Sequence, residues 1–205
     1  MQTVGLPIMV FDERTLTPSL GYVFDRRWLD PFESMVSILW KLARMNRLPG
    51  QLITMQLAKS GVDPYDGVAP CVAEVDLHRL HRALGLPLKL LRDSLLPEGL
   101  QAATGPHFRY CSKCLCRGYH SVVHQISFTK SCPIHGDPLA VACRMCGAMA
   151  PYRLNVALLD APYRCGSCRH LYGTSPPASL PHKRALNKKA RIAVTRMRFS
   201  QYAHF

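Results

Sequence analysis

Apolar positions recur at helical spacing from residue 32 to 45: Phe32, Met35, Val36, Leu39, Leu42, Ala43 and Met45 predict one helix with a single buried stripe. Asp30-Pro31-Phe32-Glu33 reads as its start, with Asp30 as the cap, Pro31 in the first helical position and Glu33 completing a capping box. Leu48-Pro49-Gly50 ends it. Trp40 flanks the stripe and reads as a core aromatic. Gln51 to Ser60 predicts a short second helix, and Asp63-Pro64-Tyr65-Asp66-Gly67 a turn. Glu74 to Leu84 predicts a third helix through Leu77, Leu80 and Leu84, closed by Gly85. Leu86-Pro87 opens a fourth, carrying Leu88, Leu91 and Leu95 and stopped by Pro97. This last pair is helix-turn-helix-like. Its second helix offers only Lys89, Arg92, Asp93 and Ser94 to base edges, which need matching polar side chains, so a packed pair or a protein-docking surface is expected.

Beyond residue 107 the apolar runs shorten. Val122, Val123, Ile126 and Phe128 form one thin set, and Leu154, Val156, Leu158 and Leu159 another. Val123 to Phe128 alternates like a strand and places His124 on the strand surface. Thr174 to Ser179 reads as a linker. After it, Leu186, Ala190, Ala193, Val194 and Met197 share one helical face, with Arg184, Lys188, Arg191 and Arg198 roughly opposite. Lys183, Lys189 and Arg196 add to this basic segment, which contains no acid. Such a segment orders on a phosphate backbone or docks as a helix on a partner.

Composition sharpens this division. The chain has 205 residues, 48% hydrophobic and 19% charged, a folding composition with net charge +13. Residues 1–107 carry 11 basic and 11 acidic residues, whereas residues 108–205 carry 15 basic residues and only Asp137 and Asp160. A break near Thr104-Gly105-Pro106 follows. The expected organisation is a helical domain at 1–105, tandem metal modules at 106–173, and a linker with a basic tail at 174–205. The charge favours nucleic acid, an acidic protein or an anionic membrane as partner. No run approaches the roughly 20 apolar residues of a membrane span, and Met1 to Phe11 lacks the marks of a signal peptide. A cytoplasmic location, with its cysteines reduced, is expected.

Eight of the nine cysteines lie in the basic half. Cys71 stands alone and reads as a small buried residue. One unit runs Cys111-x2-Cys114, then seventeen residues, then Cys132-x2-His135. The second runs Cys143-x2-Cys146, then eighteen residues, then Cys165-x2-Cys168. Each pair sets two ligands on one tight turn, and two turns supply the four thiolate or imidazole ligands that zinc prefers. Two zinc ions per chain are expected. Iron–sulfur clusters are the alternative, which the imidazole of the first unit argues against. Cys116 in place of Cys114 is an alternative register. All eight ligands are spent in closed sites, leaving no position for a reactive water. His107, His120, His124 and His170 are left over. A small sheet is expected to join each pair of turns. The predicted fold class is therefore α+β: a helical domain, two zinc-ribbon-like modules and a basic C-terminal segment.

The chain resembles TniQ/TnsD-type transposition proteins over residues 24–173. Phe108-Arg109-Tyr110-Cys111-x2-Cys114-Leu115 resembles that family's first metal turn. Ser131-Cys132-Pro133-Ile134-His135-Gly136, Pro138-Leu139 and Cys143-x2-Cys146-Gly147 resemble its continuation. Glu33-Ser34 with Leu42-Ala43-Arg44 is similar to its opening helix, and Leu80 to Leu86 to its helical repeat. The resemblance implies a non-catalytic target-selection adaptor, linking target DNA or a guide-RNA surveillance complex to an AAA+ ATPase. Residues through Trp28 would then dock the ATPase. The family's acid near position 116 is missing, and a short adaptor without the additional DNA-binding region of larger members is expected.

The alternative is a zinc-containing DNA-binding transcriptional regulator. Catalysis is not expected, because no nucleophile triad, phosphate-cradling glycine loop or His-Glu-x2-His helix is present. Asp12, Glu13, Asp25, Asp30 and Glu33 cluster without ligand spacing.

Overall fold

Helix α1 (Met35–Asn46) is buried from Met35 through Ala43 without a break. The expected helix had one apolar stripe. Instead it runs through the interior and is covered on every side, as helix geometry requires when nine consecutive positions are enclosed. Around it lie α2 (Gly50–Leu57), α3 (Leu77–Leu84), α4 (Leu88–Asp93), α5 (Ser112–Cys116), α6 (Val156–Leu159) and α7 (Lys188–Ser200), with 3-10 turns at Arg26–Trp28 and Val122–Gln125. This computed structural model describes residues 22–59, 61–96, 104–180 and 183–200. The apolar start Met1 to Phe11, the acids Asp12 and Glu13, Ser60 and the helix-stopping Pro97 lie outside the described residues.

The start of α1 differs from the sequence expectation. Ser34 is the cap, and its hydroxyl accepts the Ser37 N–H at 3.2 Å. Phe32 adopts φ 53°, which no right-handed helix tolerates. Residues 32–34 pair instead with a distant segment: Val122 N–H donates to Phe32 O at 3.0 Å and Ser34 N–H to His120 O at 2.8 Å. Half of the expected capping box persists, since Glu33 Oε2 accepts the Asp30 N–H at 3.1 Å. The Asp30 carboxylate is used elsewhere, by Lys183 and by the Leu186 N–H. At the other end Arg47 takes the left-handed conformation and ends α1. Pro49 then opens α2, whose first N–H, on Gly50, is capped by the Asp160 carboxylate at the end of α6.

The α+β expectation, with its zinc-ribbon-like modules, is overturned. Among the described residues there are isolated antiparallel bridges of one residue pair each, and no strand. The reason lies in partner exchange. Ser131 pairs with Pro138, but two residues on Ala140 pairs with Tyr110. Ala142 pairs with Met149, but Pro151 pairs with His107. Each segment leaves its partner after one rung, and Pro138 and Pro151 have no N–H with which to extend a ladder. Val123 to Phe128 is likewise no strand: its first part is the 3-10 turn, and His124 is wholly buried rather than on a sheet surface.

One apolar core spans both halves of the sequence. It joins Met35, Leu39 and Trp40 of α1 to Phe108, Tyr110, Leu154, Tyr163 and Tyr172. Trp40 stacks at an angle on Tyr163, 4.8 Å between centroids, and its indole N–H donates to Leu158 O at 2.7 Å. Gly67 shows how close the segments approach: at φ +62° it lies against Leu154 and Asn155, and an added Cβ would sit 2.4 Å from Leu154 O.

Burying α1 all round also buries Lys41. Its ammonium pairs with Glu33 and donates to Trp28 O at 2.8 Å, and Glu33 further accepts from the Ser37 hydroxyl at 2.6 Å. Burial lowers the Lys41 pKa to about 8, against the opposing pull of the Glu33 charge. Lys41→Met is expected to cost about 3–5 kcal/mol in urea denaturation, because it strands a buried carboxylate, and Glu33→Gln/Lys41→Met to recover part of that loss. The folded chain releases this proton near pH 8 and the unfolded chain near 10.5. The folded form therefore binds fewer protons between those values, and the contribution of Lys41 to stability rises with pH across that window. Titration of the Lys41 side chain by NMR checks the lower limit.

Candidate metal centres

Three of the four ligand pairs sit on the same backbone turn. In Cys132 to Gly136, Cys143 to Gly147 and Cys165 to Arg169, the residue after the second ligand donates its N–H to the carbonyl of the first, at 2.8–2.9 Å. That closing residue has positive φ: 73° at Gly136 and Gly147, 61° at Arg169. Glycine adopts this conformation without penalty; Arg169 carries the cost of a side chain there. The first ligand's own N–H donates back across the turn, to Asp137, Ala148 and His170 respectively. The fourth pair differs. Cys111 is the residue before α5 and Cys114 lies in its first turn, so a helix spaces these two ligands.

These turns assemble two clusters, Cys111–Cys114–Cys132–His135 and Cys143–Cys146–Cys165–Cys168, with ligand atoms all within 4.8 Å of one another. In the first, His135 Nδ1 lies 3.4 Å from the sulfurs of Cys111 and Cys114 and 3.6 Å from that of Cys132. In the second, Cys143 and Cys168 sulfurs are 3.6 Å apart and those of Cys146 and Cys165 3.7 Å. None of the cysteines is in a disulfide. Four ligands about 2.3 Å from a common centre stand about 3.8 Å apart, so both sets fit one tetrahedral ion each. Thiol chemistry agrees. Hydrogen bonding to Cys111 and Cys132 pushes the Cys114 thiol well up, while bonding from Cys111 and Cys114 brings Cys132 down to about 3. Sulfurs this close cannot all ionise unless a cation sits among them. Each cluster can hold a metal ion.

The clusters differ in cover. Cys111, Cys114 and Cys132 pack with Tyr119, Leu186 and Ala190, so the C-terminal segment lids the first cluster. In the second, Cys146 and Cys168 are exposed.

Cys116 belongs to neither. Its sulfur accepts the Thr174 N–H at 3.1 Å, strapping the expected linker to the end of α5. His120 joins the halves: Ser34 Oγ donates to its Nδ1 at 2.6 Å and its Nε2–H donates to Arg109 O at 2.7 Å. Burial lowers its pKa to about 3 and keeps it neutral. His124 packs edge-on against it, 5.1 Å between centroids. None of His107, His120, His124 and His170 joins a cluster.

The basic segment is partly internal. Lys183 pairs with Asp30 at a buried site, and Arg198 is buried, donating to Leu95 O at 3.1 Å and lying over the Phe32 ring. Arg198 was expected on the basic helical face and Lys183 within the basic segment that contacts a partner. Arg184, Lys188, Lys189, Arg191 and Arg196 remain exposed. The apolar face is spent within the chain, since Leu186, Ala190 and Val194 are buried. Trp28 is half-buried against Phe24, at 5.6 Å. Lys41, missed at the sequence level, had no signal beyond its place between Trp40 and Leu42.

No family model and no curated protein matches the chain. The zinc-finger fold that zinc-ribbon-like modules imply is corrected with them: the turns are present, and among the described residues the hairpin strands are not. No helix among the described residues is long and apolar enough to cross a membrane.

Cys132→Ser is expected to lower stability by roughly 3 kcal/mol or more, and Cys146→Ser by less than half of that, because the first ligand is enclosed and the second faces solvent. Thermal melts of the metal-replete variants measure both. Equal losses would show that cover over the cluster has no influence.

Proposed function

We propose that the chain is a non-catalytic target-selection adaptor of DNA transposition, which links target DNA or a guide-RNA surveillance complex to an AAA+ ATPase in the cytoplasm. The observation that carries this reading is the sequence around the ligand turns, Ser131-Cys132-Pro133-Ile134-His135-Gly136 followed by Pro138-Leu139 and Cys143-x2-Cys146-Gly147, with both ligand sets assembled as closed four-ligand clusters. In this reading each cluster holds a structural zinc, which cross-links two turns and does no chemistry on a substrate. Elemental analysis should give two zinc atoms per chain; one atom, or an iron–sulfur absorption spectrum, would contradict it.

The exposed cations of the C-terminal segment supply the nucleic-acid contact. Its apolar face is already packed on the chain, which leaves the charged face for a partner. Replacing Arg184, Lys188, Lys189 and Arg196 with Gln is expected to flatten the slope of log affinity against log salt by about three, at about 0.9 per phosphate contact with three or four of them on phosphate at once. The loss should be similar on two unrelated duplexes, because phosphate contacts carry no sequence information. An unchanged slope would remove this segment from the interface. The adaptor reading as a whole is tested by reconstitution with an AAA+ transposition ATPase. Stable contact is expected; its absence, with target selection intact, would end the proposal.

One observation favours a second reading, a zinc-containing DNA-binding transcriptional regulator. Helices α3 and α4 meet at Gly85, in the left-handed conformation, and leave Lys89 and Arg92 exposed. A sequence-specific footprint at a promoter by the chain alone would support it over the adaptor.

A further inference from the structure

A groove of about 430 Å³ opens between the segment following the first 3-10 turn, the start of α4 and the exposed side of α7. Leu29, Pro31, Phe32, Pro87 and Leu90, all partly covered, supply its apolar lining. Arg26, Lys89 and Arg191, all exposed, come to it from three separate segments. Three carboxylates also line it, and each is answered. Glu33 pairs with Lys41 and Asp30 with Lys183, all four side chains no more than 2% exposed, while Asp93 pairs with Lys89. Among the described residues Arg26 and Arg191 have no carboxylate partner. The groove therefore presents apolar surface together with two uncompensated guanidinium groups. It is also preformed, because α7 is held by Val194 in the interior and by the Arg198 bond to Leu95 O. A site that needs no ordering on binding keeps more of its contact energy as affinity.

We propose that this groove binds an acidic peptide segment of a partner protein, with an apolar side chain against Leu29, Phe32 and Leu90 and carboxylates on Arg26 and Arg191. A guanidinium donates two parallel hydrogen bonds to a carboxylate, which fixes orientation, while the enclosed apolar side chain provides most of the energy. Nucleic acid fits this groove less well. A phosphate backbone is matched by a row of cations on open surface, as on the outer face of α7, and not by an apolar depression with two guanidinium groups at its edges. The inference rests on the groove alone and stands whether or not the chain serves transposition.

Selection of a phage-displayed random dodecapeptide library on the full-length, metal-replete chain tests it. The enriched peptide is then made synthetically and titrated by fluorescence anisotropy. Enriched sequences should carry Asp or Glu flanking Leu, Met, Phe or Trp. Affinity should fall about tenfold or more on Arg26→Glu/Arg191→Glu, a loss of about 1.4 kcal/mol. It should fall by less than twofold on Arg117→Glu/Lys130→Glu, an equal change of charge at exposed positions away from the groove. Circular dichroism and metal content matching the parent confirm that both variants are folded. No enrichment, enriched peptides without acids, or equal affinity for the groove variant would overturn the proposal. So would displacement of the peptide by a single-stranded oligonucleotide that itself binds the groove variant less tightly, which would reassign the groove to nucleic acid.

Discussion

A chain that crosses its own core repeatedly with no strand among its described residues must fix its crossings in some other way, and here the two four-ligand clusters are placed to do so. Each joins turns separated by about twenty residues of sequence, and around each turn the backbone pairs for only one rung before changing partner. A single bridge contributes little cooperativity, and the apolar residues between the turns are few. An ion held by four ligands would supply the missing closure, because ligation energy in such a site is folding energy. The positive-φ residues Gly136, Gly147 and Arg169 follow from this. They reverse the chain tightly enough that both ligands of a pair face one centre.

The clusters and the helices are parts of one object. Tyr110, Tyr172, Cys143 and Cys165 share a core with α1, and His120 ties the cap of α1 to the backbone of Arg109, two residues before the first ligand. Asp30 and Glu33 receive Lys183 and Lys41, so the C-terminal segment and the central helix are anchored at one buried charged site. That site does two things at once. It holds α7 over the first cluster, and it neutralises the carboxylates beneath the groove, leaving Arg26 and Arg191 to set the sign of the surface.

Local chemistry was legible from the residues. The ligand pairs declared themselves by spacing, the helix ends by Pro49, Gly85 and Pro87, and the basic character of α7 by its lack of acids. What failed were readings that depend on tertiary partners. Alternation at Val123 to Phe128 looks like a strand, but residues 120–122 pair with residues 32–34, and a 3-10 turn follows. Asp30-Pro31-Phe32-Glu33 has the composition of a helix start, yet both carboxylates are drawn into ion pairs with residues 153 and 8 positions away. Arg198 looked like part of a solvated face because a helical wheel does not know that Leu95 O and the Phe32 ring stand beside it. In each case a long-range contact outweighed a local preference of a kcal/mol or so.

The central claim is that metal ligation holds the helical core as well as the turns. Amide hydrogen exchange of the full chain before and after removal of metal by a chelator tests it most directly. The account predicts that protection falls in Met35–Asn46 together with the turns at 132–136, 143–147 and 165–169, because Cys143 and Cys165 share the core of that helix and His120 ties its cap to Arg109 beside the first cluster. Full protection in Met35–Asn46, with exchange rising only in the turns, would contradict it.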